Sequence, residues 1–589
     1  MNSIRSTSLW ASLVFALFAA DEARSQAGNP GTDIPPPRVL LLGDSIRLGY
    51  EPEAAELLKG RAKILAPKSN GGDSANILAK IDEWIDEFDP EIIHWNCGLH
   101  DLKKSKSDGT HQVSLDRYES NLRAIVDKIR RHPRIDLVFA STTPIIDARH
   151  AARKATFDRF EADVVRYNDR AISVMTELGI PVHDLHRVVE KEGGERLLGA
   201  DGTHYTSEGS RRLAAAVADV ISRRSAILRD LRNLRPPTAV DAAEYRETEK
   251  KRDAAVPERF RDAEIPVFEP ARSSEEWRER RRSVLEKVVA SLGKQPSRES
   301  PPRSRFITSE IHPHFVLEKV EIDNGIDSTI GALLVLPRGR TGPVPAILWL
   351  HSSSPDKNQI LVPGTNGGDI PLAVEFAKAG FAVFAPDAYW HGERVGTGPS
   401  GPLETGVAEQ AGLHKYHLWF GRTLWGMFVR DDRVAVDYLV TRPEIDRNRL
   451  GATGISMGST RAWWLAAVDE RIKAVVGVAC LTRYRDLIRH GELRAHGVYY
   501  FVNGLLEHFD IEGVLSLIAP RPYLALTGEL DAGSPADGIR TLEGILSRHY
   551  EALGARDAFR SVLYPDTGHV YTPEMRKEML KWFVDWLKP

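Results

Sequence analysis

Two short glycine-containing turns, far apart in the chain, place strong limits on its fold. Gly43-Asp44-Ser45 follows the apolar run Val39–Leu42, and Gly454–Gly458, with Ser456 at its centre, follows the apolar run Leu450–Thr453. In both places a segment typical of a buried strand passes through glycine into a helical pattern. Each strand–turn–helix unit needs a parallel sheet around it, so the two turns predict two α/β units in one chain.

The length and composition agree with two such units. The chain has 589 residues, of which 42% are hydrophobic, and a single core stops growing near about 250–300 residues. Its 79 basic and 82 acidic residues nearly balance. This balance gives no reason to expect a nucleic-acid partner or binding to an anionic membrane surface. The oligomeric state is left open.

The domain boundaries follow from changes in the sequence pattern. We predict an α/β domain over residues 37–225, a connector rich in Arg, Glu, Ala and Pro over 226–269, and a second α/β domain over 270–589. A helix predicted over Ser207–Ser222 closes the first domain, and another over Ser274–Leu292 opens the second. Strand and helix patterns alternate in both domains, as a mainly parallel sheet requires.

The N-terminus has the pattern of a secretory signal. Arg5 precedes the apolar run Leu9–Ala20, and the small residues of Ser25–Ala27 follow. A run of about 12 apolar residues is too short to cross a bilayer comfortably, so a signal peptide over residues 1–27 is the better interpretation. The alternative is a frayed helix of a cytosolic protein. We therefore expect a periplasmic or secreted protein without a membrane anchor.

Metal and cofactor sites are not expected. His312-Pro313-His314 has no neighbouring Cys or carboxylate pattern, and Gly364–Gly368 lacks the Lys-Ser/Thr of a phosphate-binding loop. The two cysteines, Cys97 and Cys480, each lie in or beside an apolar run, so we predict two unpaired, buried thiols.

The first serine has matching partners downstream. In Asp201-Gly202-Thr203-His204, a carboxylate precedes an imidazole by three residues on one tight loop. Such a carboxylate can orient the ring and stabilise the imidazolium while a serine loses its proton. We therefore predict Ser45, Asp201 and His204 as catalytic. Asp147 and His150 have the same spacing, but their basic, helix-leaning surroundings favour a surface location.

These blocks resemble the SGNH (GDSL-type) esterase family over residues 37–225. The family's nucleophile block corresponds to Ser45, and its Asp-x-x-His block corresponds to Asp201 and His204. Thr142-Thr143-Pro144 after a strand is also similar to the family. The resemblance implies a flavodoxin-like sheet in a three-layer domain, and ester hydrolysis, often of acetyl groups on sugars.

The same resemblance implies an oxyanion hole made by the serine amide, a glycine amide and an asparagine side chain. The glycine corresponds to Gly71 or Gly72. Where the family has asparagine this chain has His100, whose ring can donate from one nitrogen, and Asn96 is the alternative donor. Losing one oxyanion donor costs on the order of 10²–10³ in turnover, so we expect the rate and pH profile to change.

The second serine lies in a nucleophile-elbow context. Within Gly454–Gly458, Ser456 occupies a sharp turn between a strand and a helix, and the N–H of Met457 becomes one oxyanion donor. The second donor is expected after the strand that ends at Leu350. We assign it to the N–H of Ser352, with Ser353 as the alternative.

An acid and a base follow the last two predicted strands. Asp531 is the predicted acid, with Glu529 and Asp537 as alternatives, and His569 is the predicted base. The chain order Ser, Asp, His matches α/β-hydrolases and differs from the other serine hydrolase orders.

Residues 270–589 resemble α/β-hydrolases of the dienelactone hydrolase and acetyl xylan esterase type. The residues that carry this resemblance are Trp277, Arg281, Asp387, Gly392–Arg394, Gly454–Gly458, Ala519–Pro522 and Asp531. The resemblance implies a carboxylic ester hydrolase, acting on plant polysaccharide side groups.

Together, the two serine sites predict a secreted bifunctional serine esterase, with an acylated polysaccharide or oligosaccharide as substrate. Three alternatives remain. An exopeptidase-like enzyme would need a gating domain, and a lipid or thioester hydrolase would need an exposed apolar lid, which the sequence does not show. A single-site α/β-hydrolase esterase or peptidase would keep the first domain as a degenerate carbohydrate-binding module, an alternative that depends on His100.

Overall fold

The computed structural model describes residues 35–234, 240–261, 263–353 and 356–588. The predicted signal peptide, residues 1–27, lies outside the described residues. In chain order the strands are β1 (Arg38–Leu42), β2 (Lys63–Leu65), β3 (Ile92–Asn96), β4 (Lys104–Ser105), β5 (Asp136–Ala140), β6 (Phe157–Asp158), β7 (Val182–His183), β8 (Ser304–Ile311), β9 (Phe315–Asp323), β10 (Thr329–Pro337), β11 (Val344–Leu350), β12 (Ala382–Pro386), β13 (Ile445–Ile455), β14 (Ile472–Val478), β15 (Tyr523–Gly528) and β16 (Phe559–Tyr564).

The α-helices lie mainly between the strands, as predicted. In chain order they are α1 (Ser45–Leu57), α2 (Ser74–Phe88), α3 (Leu115–Ile129), α4 (Asp147–Ala152), α5 (Glu161–Glu177), α6 (Leu185–Glu192), α7 (Ser207–Asn233), α8 (Ala242–Ala255), α9 (Glu258–Arg261), α10 (Ser274–Ser291), α11 (Leu372–Lys378), α12 (Gly406–Trp419), α13 (Leu424–Leu439), α14 (Met457–Val468), α15 (Tyr484–Arg489), α16 (Ile511–Ser516), α17 (Ala536–Ala552) and α18 (Pro573–Leu587).

The first part of the chain forms a parallel sheet in the order β2-β1-β3-β5-β7. Strand β1 has the sequence RVLLL, and its last four residues are buried. A continuous apolar strand of this kind is expected where helices cover both faces of a parallel sheet. The predicted α/β class and flavodoxin-like strand order are confirmed.

The second part begins with antiparallel strands and then becomes parallel. Strands β8, β9 and β10 form an antiparallel meander, β10 pairs antiparallel with β12, and the remaining strands run parallel in the order β12-β11-β13-β14-β15-β16. This mainly parallel sheet is the one predicted for the C-terminal domain.

The two parts share one continuous sheet, which the sequence did not predict. Strands β7 and β8 pair antiparallel through Val182 with Ile311 and His183 with Glu310, giving a 14-stranded sheet. The ring of His183 also lies 2.8 Å from the hydroxyl of Thr308. Pairing β7 with β8 covers an edge strand of each part, which would otherwise present unpaired backbone groups.

Helix α7 reinforces this junction because it continues well beyond its predicted end at Ser222. Its extension carries Arg223 and Arg224, which lie 2.9 Å and 3.4 Å from the carboxylate of Glu310 on β8. Burial raises the pKa of Glu310, but the two guanidinium groups outweigh burial and lower the pKa to about 2. An ionised carboxylate therefore joins the two parts inside the protein.

We expect Glu310→Gln to lower the free energy of unfolding by about 1–3 kcal/mol, because Arg223 and Arg224 each lose one carboxylate partner and keep another, Asp219 and Asp136 respectively. The pKa of Glu310 is depressed in the folded state. Its contribution is therefore present above the unfolded pKa of about 4.3, and is lost as the pH falls toward 2. Chemical denaturation of both proteins at pH 7 tests this. The control is Glu321→Gln, since Glu321 pairs with the exposed Arg305 and should change stability by less than about 1 kcal/mol. Equal effects of the two substitutions would contradict the assignment.

Part of the predicted connector is helical and attached to the second part. In α8, the side chain of Arg252 donates to the carbonyl of His490 at 2.8 Å, and Asp253 lies 2.9 Å from the ring of His490. The other ring nitrogen of His490 lies 3.1 Å from Asp537. Two carboxylates thus flank this imidazole, and they raise its pKa to about 9, with Asp537 contributing most. The C-terminal end of α8 is therefore fixed to the second part by charge.

Over the part of the chain that the structure describes, we find no helix with the length and apolarity needed to cross a bilayer. Cys97 and Cys480 are free and buried, as predicted from their apolar surroundings.

Candidate active sites

The first serine lies at the carboxyl end of a parallel strand, as predicted. Strand β1 ends at Leu42, and Ser45 is the first residue of α1. The side chain of Asp44 caps this helix by accepting from the N–H of Ile46 at 2.8 Å. Ligands of open α/β folds bind at this carboxyl end of the strands.

The structure brings together the three residues predicted for this site. The hydroxyl of Ser45 lies 2.9 Å from Nε2 of His204, and Nδ1 of the same ring lies 2.6 Å from Asp201. The other carboxylate oxygen of Asp201 accepts from the backbone N–H groups of Thr203 and His204. Burial raises the pKa of Asp201, but these hydrogen bonds outweigh it and lower the pKa to about 2. The carboxylate is therefore ionised at neutral pH.

The predicted oxyanion glycines hold the nucleophile turn in place. The N–H of Gly71 donates to the carbonyl of Gly43 at 2.9 Å, and the N–H of Gly72 donates to the side chain of Asn70 at 2.8 Å. Both amides thus have acceptors within the protein, and either would have to exchange its bond to serve an oxyanion. The alternative donor Asn96 donates to the carbonyl of Ala140 within the sheet.

The ring of His100 is fixed by a lysine that sequence reasoning did not identify. The ammonium of Lys103 lies 2.9 Å from Nδ1 of His100. Burial, followed by the charge of Lys103, lowers the pKa of His100 to about 4, so the imidazole is neutral. Because an ammonium only donates, Nδ1 must accept, and the ring proton lies on Nε2. His100 therefore has one ring N–H to offer as a donor.

The second Asp-x-x-His pair has a different location from the one predicted. His150 is only 2% exposed, and its ring lies 3.3 Å from the hydroxyl of Thr203. The expectation of a surface histidine was wrong, because the loop that carries Asp201 packs over α4. Asp147 instead accepts from the N–H of Glu161 at 2.7 Å.

The second serine has the backbone of a nucleophile elbow. Ser456 lies between β13 and α14 with φ 58° and ψ −121°, a strained conformation for a residue with a side chain. Its N–H donates to the carbonyl of Val478 at 3.0 Å. Met457 is the first residue of α14, so its N–H has no acceptor within the helix.

His569 pairs with the predicted acid. Its Nδ1 lies 2.8 Å from the buried carboxylate of Asp531. The charge of Asp531 raises the pKa of His569, and the histidine in turn lowers the pKa of Asp531 against the effect of burial. The alternative acids have other partners, since Glu529 pairs with Arg540 and Asp537 pairs with His490.

The two sites differ at the serine hydroxyl. Within the described residues, Ser45 has a hydrogen bond to its histidine, whereas the structure shows none between Ser456 and His569. The thiol of Cys480 is buried near Ser456, which is one of the groups that affect the pKa of this thiol. Burial, followed by the charge of Asp531, raises the pKa of Cys480 to about 12, so the thiol is protonated.

Two histidines hold the loop that carries Ser352. His351 lies 2.6 Å from the carbonyl of Ser352 and accepts from the N–H of Ala388 at 2.9 Å. The ring of His391 lies 2.9 Å from the carbonyl of Ser353. These bonds fix the orientation of the predicted oxyanion peptides, a role that sequence reasoning did not assign to His391.

Residues of the predicted connector also contact the second site. Gly568 directly precedes His569 in the sequence. A Cβ atom placed on Gly568 would lie 2.7 Å from the side chain of Val240. In α8, Tyr245 is half-buried, and its pKa is raised by burial and, among nearby charges, by that of Asp531. No sequence signal identified this segment as part of the site.

Several aromatic residues of the second part differ in their exposure. Trp390, Tyr499 and Tyr500 are buried and pack against other rings, whereas Trp419 is 88% exposed at the end of α12. Leu403 is 91% exposed in the same region. An exposed apolar surface was not predicted here, because α12 has no clear amphipathic pattern.

Among the residues that are described, no cluster of three or more His, Cys, Asp or Glu side chains is arranged to hold a metal ion. Each candidate site has a serine at the carboxyl edge of the sheet and a hydrogen-bonded histidine–aspartate pair, the residue set of serine hydrolases.

Comparisons with known proteins agree with both parts. Residues 41–212 match the GDSL-like lipase/acylhydrolase family, and residues 261–567 match the Abhydrolase family. The protein YtaP of Bacillus subtilis (strain 168), named as a candidate hydrolase, is 32% identical over 300 residues, which are 50% of this chain and 96% of YtaP.

Solved structures are similar at lower identity. A glucuronoyl esterase of Solibacter usitatus is 18% identical with a TM-score of 0.43, over 55% of this chain and 98% of that one. A candidate acetyl xylan esterase of Bacteroides fragilis is 18% identical with a TM-score of 0.44, over 58% and 95%. With TM-scores below 0.5, the two structures add nothing to the assignment. The chain belongs to the Abhydrolase family through residues 261–567, carries a GDSL-like lipase/acylhydrolase region ahead of them, and is a serine esterase.

Proposed function

We propose that the protein is a bifunctional carboxylic-ester hydrolase with two independent catalytic serines, Ser45 and Ser456. The observation that carries the proposal is the unbroken hydrogen-bond chain from Ser45 through His204 to Asp201 in the first site. A degenerate binding module would have no need to keep this chain. The first domain is therefore proposed as an enzyme in its own right.

In the first site, His204 accepts the proton of Ser45 while the serine oxygen attacks the ester carbonyl carbon. Asp201 holds the ring with Nδ1–H directed toward it, and stabilises the imidazolium that forms. The same imidazolium then gives its proton to the leaving alcohol oxygen, and an acyl-enzyme remains on Ser45. Water, deprotonated by His204, attacks this acyl group, releases the acid and restores the serine.

The negative charge on the carbonyl oxygen needs donors at the same edge of the sheet. The N–H of Ser45 lies at the first turn of α1, where helix amides have no acceptor within the helix. The Nε2–H of His100 replaces the family's asparagine, because Lys103 keeps Nδ1 as an acceptor. These two donors are proposed for the first oxyanion hole, with Gly71 or Gly72 as a third that must first release its present acceptor.

In the second site, His569 and Asp531 act in the same way on Ser456. Because no hydrogen bond joins Ser456 to His569 among the described residues, the Ser456 hydroxyl must turn toward His569 before it attacks. The N–H groups of Met457 and Ser352 are proposed as oxyanion donors. The present orientation of the Ser456 side chain is then a resting state, and substrate binding shifts it.

We further propose that the substrate is an acylated polysaccharide or oligosaccharide, outside the cytoplasm if residues 1–27 act as a signal peptide. The exposed indole of Trp419 supports this, since a flat apolar ring offers a surface on which a sugar ring can stack. Two sites on one chain raise the effective concentration of the second near a polymer that the first has bound.

Single and double serine variants test the proposal. We expect Ser45→Ala and Ser456→Ala each to remove a different part of the acetate release from p-nitrophenyl acetate and acetylated xylan, and the double variant to remove all of it. Ser107→Ala, on an exposed loop, serves as the control and should change neither. If Ser45→Ala leaves both activities intact while Ser456→Ala removes them, the first site is not an esterase on these substrates.

A further inference from the structure

Two cations share one aromatic ring beside the first site. Strands β4 and β6 form a small antiparallel flap, and Phe157 lies on β6. The ammonium of Lys103 lies 5.0 Å from the centre of the Phe157 ring, and the guanidinium of Arg159 lies 4.9 Å from it. Like charges this close repel each other unless an anion lies between or beside them.

Arg159 has no anionic partner among the residues that the structure describes. Its side chain is only 5% exposed, and its single hydrogen bond to the protein runs from Nε to the carbonyl of Leu99 at 2.9 Å. The two terminal nitrogens remain for another acceptor. A buried guanidinium without a carboxylate is costly, and in proteins such charges are normally paired.

Among the described residues, none of the nearby carboxylates forms an ion pair with Arg159. Asp44 caps α1 through one oxygen, and its other oxygen is buried without a hydrogen-bond partner. Asp73 caps α2 and accepts from Gln112, and Asp201 binds the ring of His204. Arg153, 3.5 Å from Asp201, adds a further positive charge. Within the part of the chain that is described, Arg159 and Lys103 are therefore left without a carboxylate at ion-pair distance.

The charge of Arg159 affects the pKa values of two groups in the first site. Arg159 is the largest charge effect on Asp44, the residue before Ser45, and it also helps to lower the pKa of His100. Burial is the main cause of a pKa of about 10 for Arg159 itself, and Arg153 lowers it further, although Asp44 opposes them. The hydrogen bond of Arg159 to the carbonyl of Leu99, the residue before His100, places the guanidinium beside the proposed oxyanion hole, and it is still charged at neutral pH.

We propose that Arg159, assisted by Lys103, forms an anion subsite of the first active site that binds a carboxylate of the substrate. The substrate class is then an ester on an acidic sugar, such as an acetylated uronoside. A guanidinium presents paired N–H donors that match a carboxylate, which accounts for arginine at the buried position and lysine at the more exposed one. This inference rests on the proposed ester hydrolysis at Ser45.

A matched pair of substrates tests the subsite in a Ser456→Ala background, where only the first site is active. The pair is an acetylated methyl glucuronoside and the corresponding acetylated methyl glucoside, which differ only in the carboxylate. We expect kcat/KM to be about 10-fold or more higher for the glucuronoside, the range of a charge-assisted hydrogen bond, and the ratio to fall with added salt.

In Arg159→Gln the ratio should approach 1, and Arg159→Lys should restore part of it. Lys106→Gln is the matched control on the same flap, because Lys106 already pairs with Asp158, and it should leave the ratio unchanged. If Arg159→Gln does not fold, Lys103→Met should still lower the ratio.

Two results overturn the subsite. One is a ratio of the two kcat/KM values near 1 while Arg159 is still present. The other is an equal loss of kcat/KM on both substrates in Arg159→Gln, which would place Arg159 in the oxyanion hole or the core. Failure of the proposed function looks different, because neither substrate would then be hydrolysed.

Discussion

Asp201→Asn lowers kcat of the first site by about 10⁴-fold in a Ser456→Ala background, with little change in KM. The carboxylate of Asp201 accepts from Nδ1 of His204 at 2.6 Å. An asparagine amide can donate to Nδ1 instead, which moves the ring proton to Nε2, and Nε2 can then no longer accept the proton of Ser45. Steady-state kinetics with p-nitrophenyl acetate measures the change.

The chain supplies its own control for this prediction. Asp147 has the same spacing to His150 that Asp201 has to His204, yet its carboxylate accepts from the backbone N–H of Glu161. An asparagine keeps that acceptor, so Asp147→Asn should change kcat by less than about 10-fold. Similar losses in the two variants would mean that position in the loop, and not the contact with His204, decides activity.

The acidic limb of the pH profile is a further consequence of the same contact. Because the pKa of Asp201 is lowered to about 2, this carboxylate stays ionised in mildly acidic solution. Loss of activity near pH 5 is therefore not expected to come from Asp201. A pH profile with an added carboxylate pKa near 4 would contradict this.

Much of the two sites was predictable because the signals are local. An apolar run that ends in glycine and opens a helix specifies Ser45 and Ser456, and both sites use residues that directly follow predicted strands. In the second site Asp531 and His569 do form the pair that chain order indicates. Their catalytic roles remain predictions that the serine and aspartate variants test.

The shared sheet was not predictable from the same signals. Strands β7 and β8 pair through backbone groups over only two residues each, and any edge strand offers such groups. Glu310 could have indicated the junction only if its arginine partners on α7 had been known. These partners lie beyond Ser222, the predicted end of that helix. Long-range pairing of this kind has no local pattern.

The roles of single side chains around the sites depended on three-dimensional contacts as well. The donor nitrogen of His100 follows from Lys103, and the burial of His150 follows from the loop that covers it. The contact of Val240 with Gly568 turned part of a predicted connector into a wall of the second site. Sequence spacing identified reactive residues but not the groups that position them.

The second large effect is expected at Gly458, two residues after Ser456. A Cβ atom on Gly458 would clash with the carbonyl oxygen of Leu350 and lie 2.7 Å from its carbonyl carbon. Leu350 is the last residue of β11, and the loop with Ser352 follows it. We therefore expect Gly458→Ala to move the elbow and the oxyanion loop apart, and to lower second-site kcat/KM by about 10²-fold or more.

This loss is measured in a Ser45→Ala background, where only the second site is active. Gly544→Ala is the control, because a Cβ atom on Gly544 in α17 meets nothing nearer than the Arg548 side chain at 3.8 Å. An alanine inside a helix should be neutral or stabilising by up to about 1 kcal/mol. Equal activity in Gly458→Ala and Gly544→Ala would mean that β11 and the elbow can separate without cost to the site.

The same substitution also tests how far the shared sheet couples the two sites. Gly458→Ala disturbs the structure at β11 and β13. In a Ser456→Ala background, first-site activity then measures whether the part of the sheet from β1 to β7 remains folded. If the 14-stranded sheet unfolds as one unit, this first-site activity and the second-site activity measured in the Ser45→Ala background should be lost at the same denaturant concentration. If first-site activity survives to a higher denaturant concentration, the β7–β8 pairing joins two units that fold separately. The ion pairs of Glu310 then connect the two units without making their unfolding cooperative.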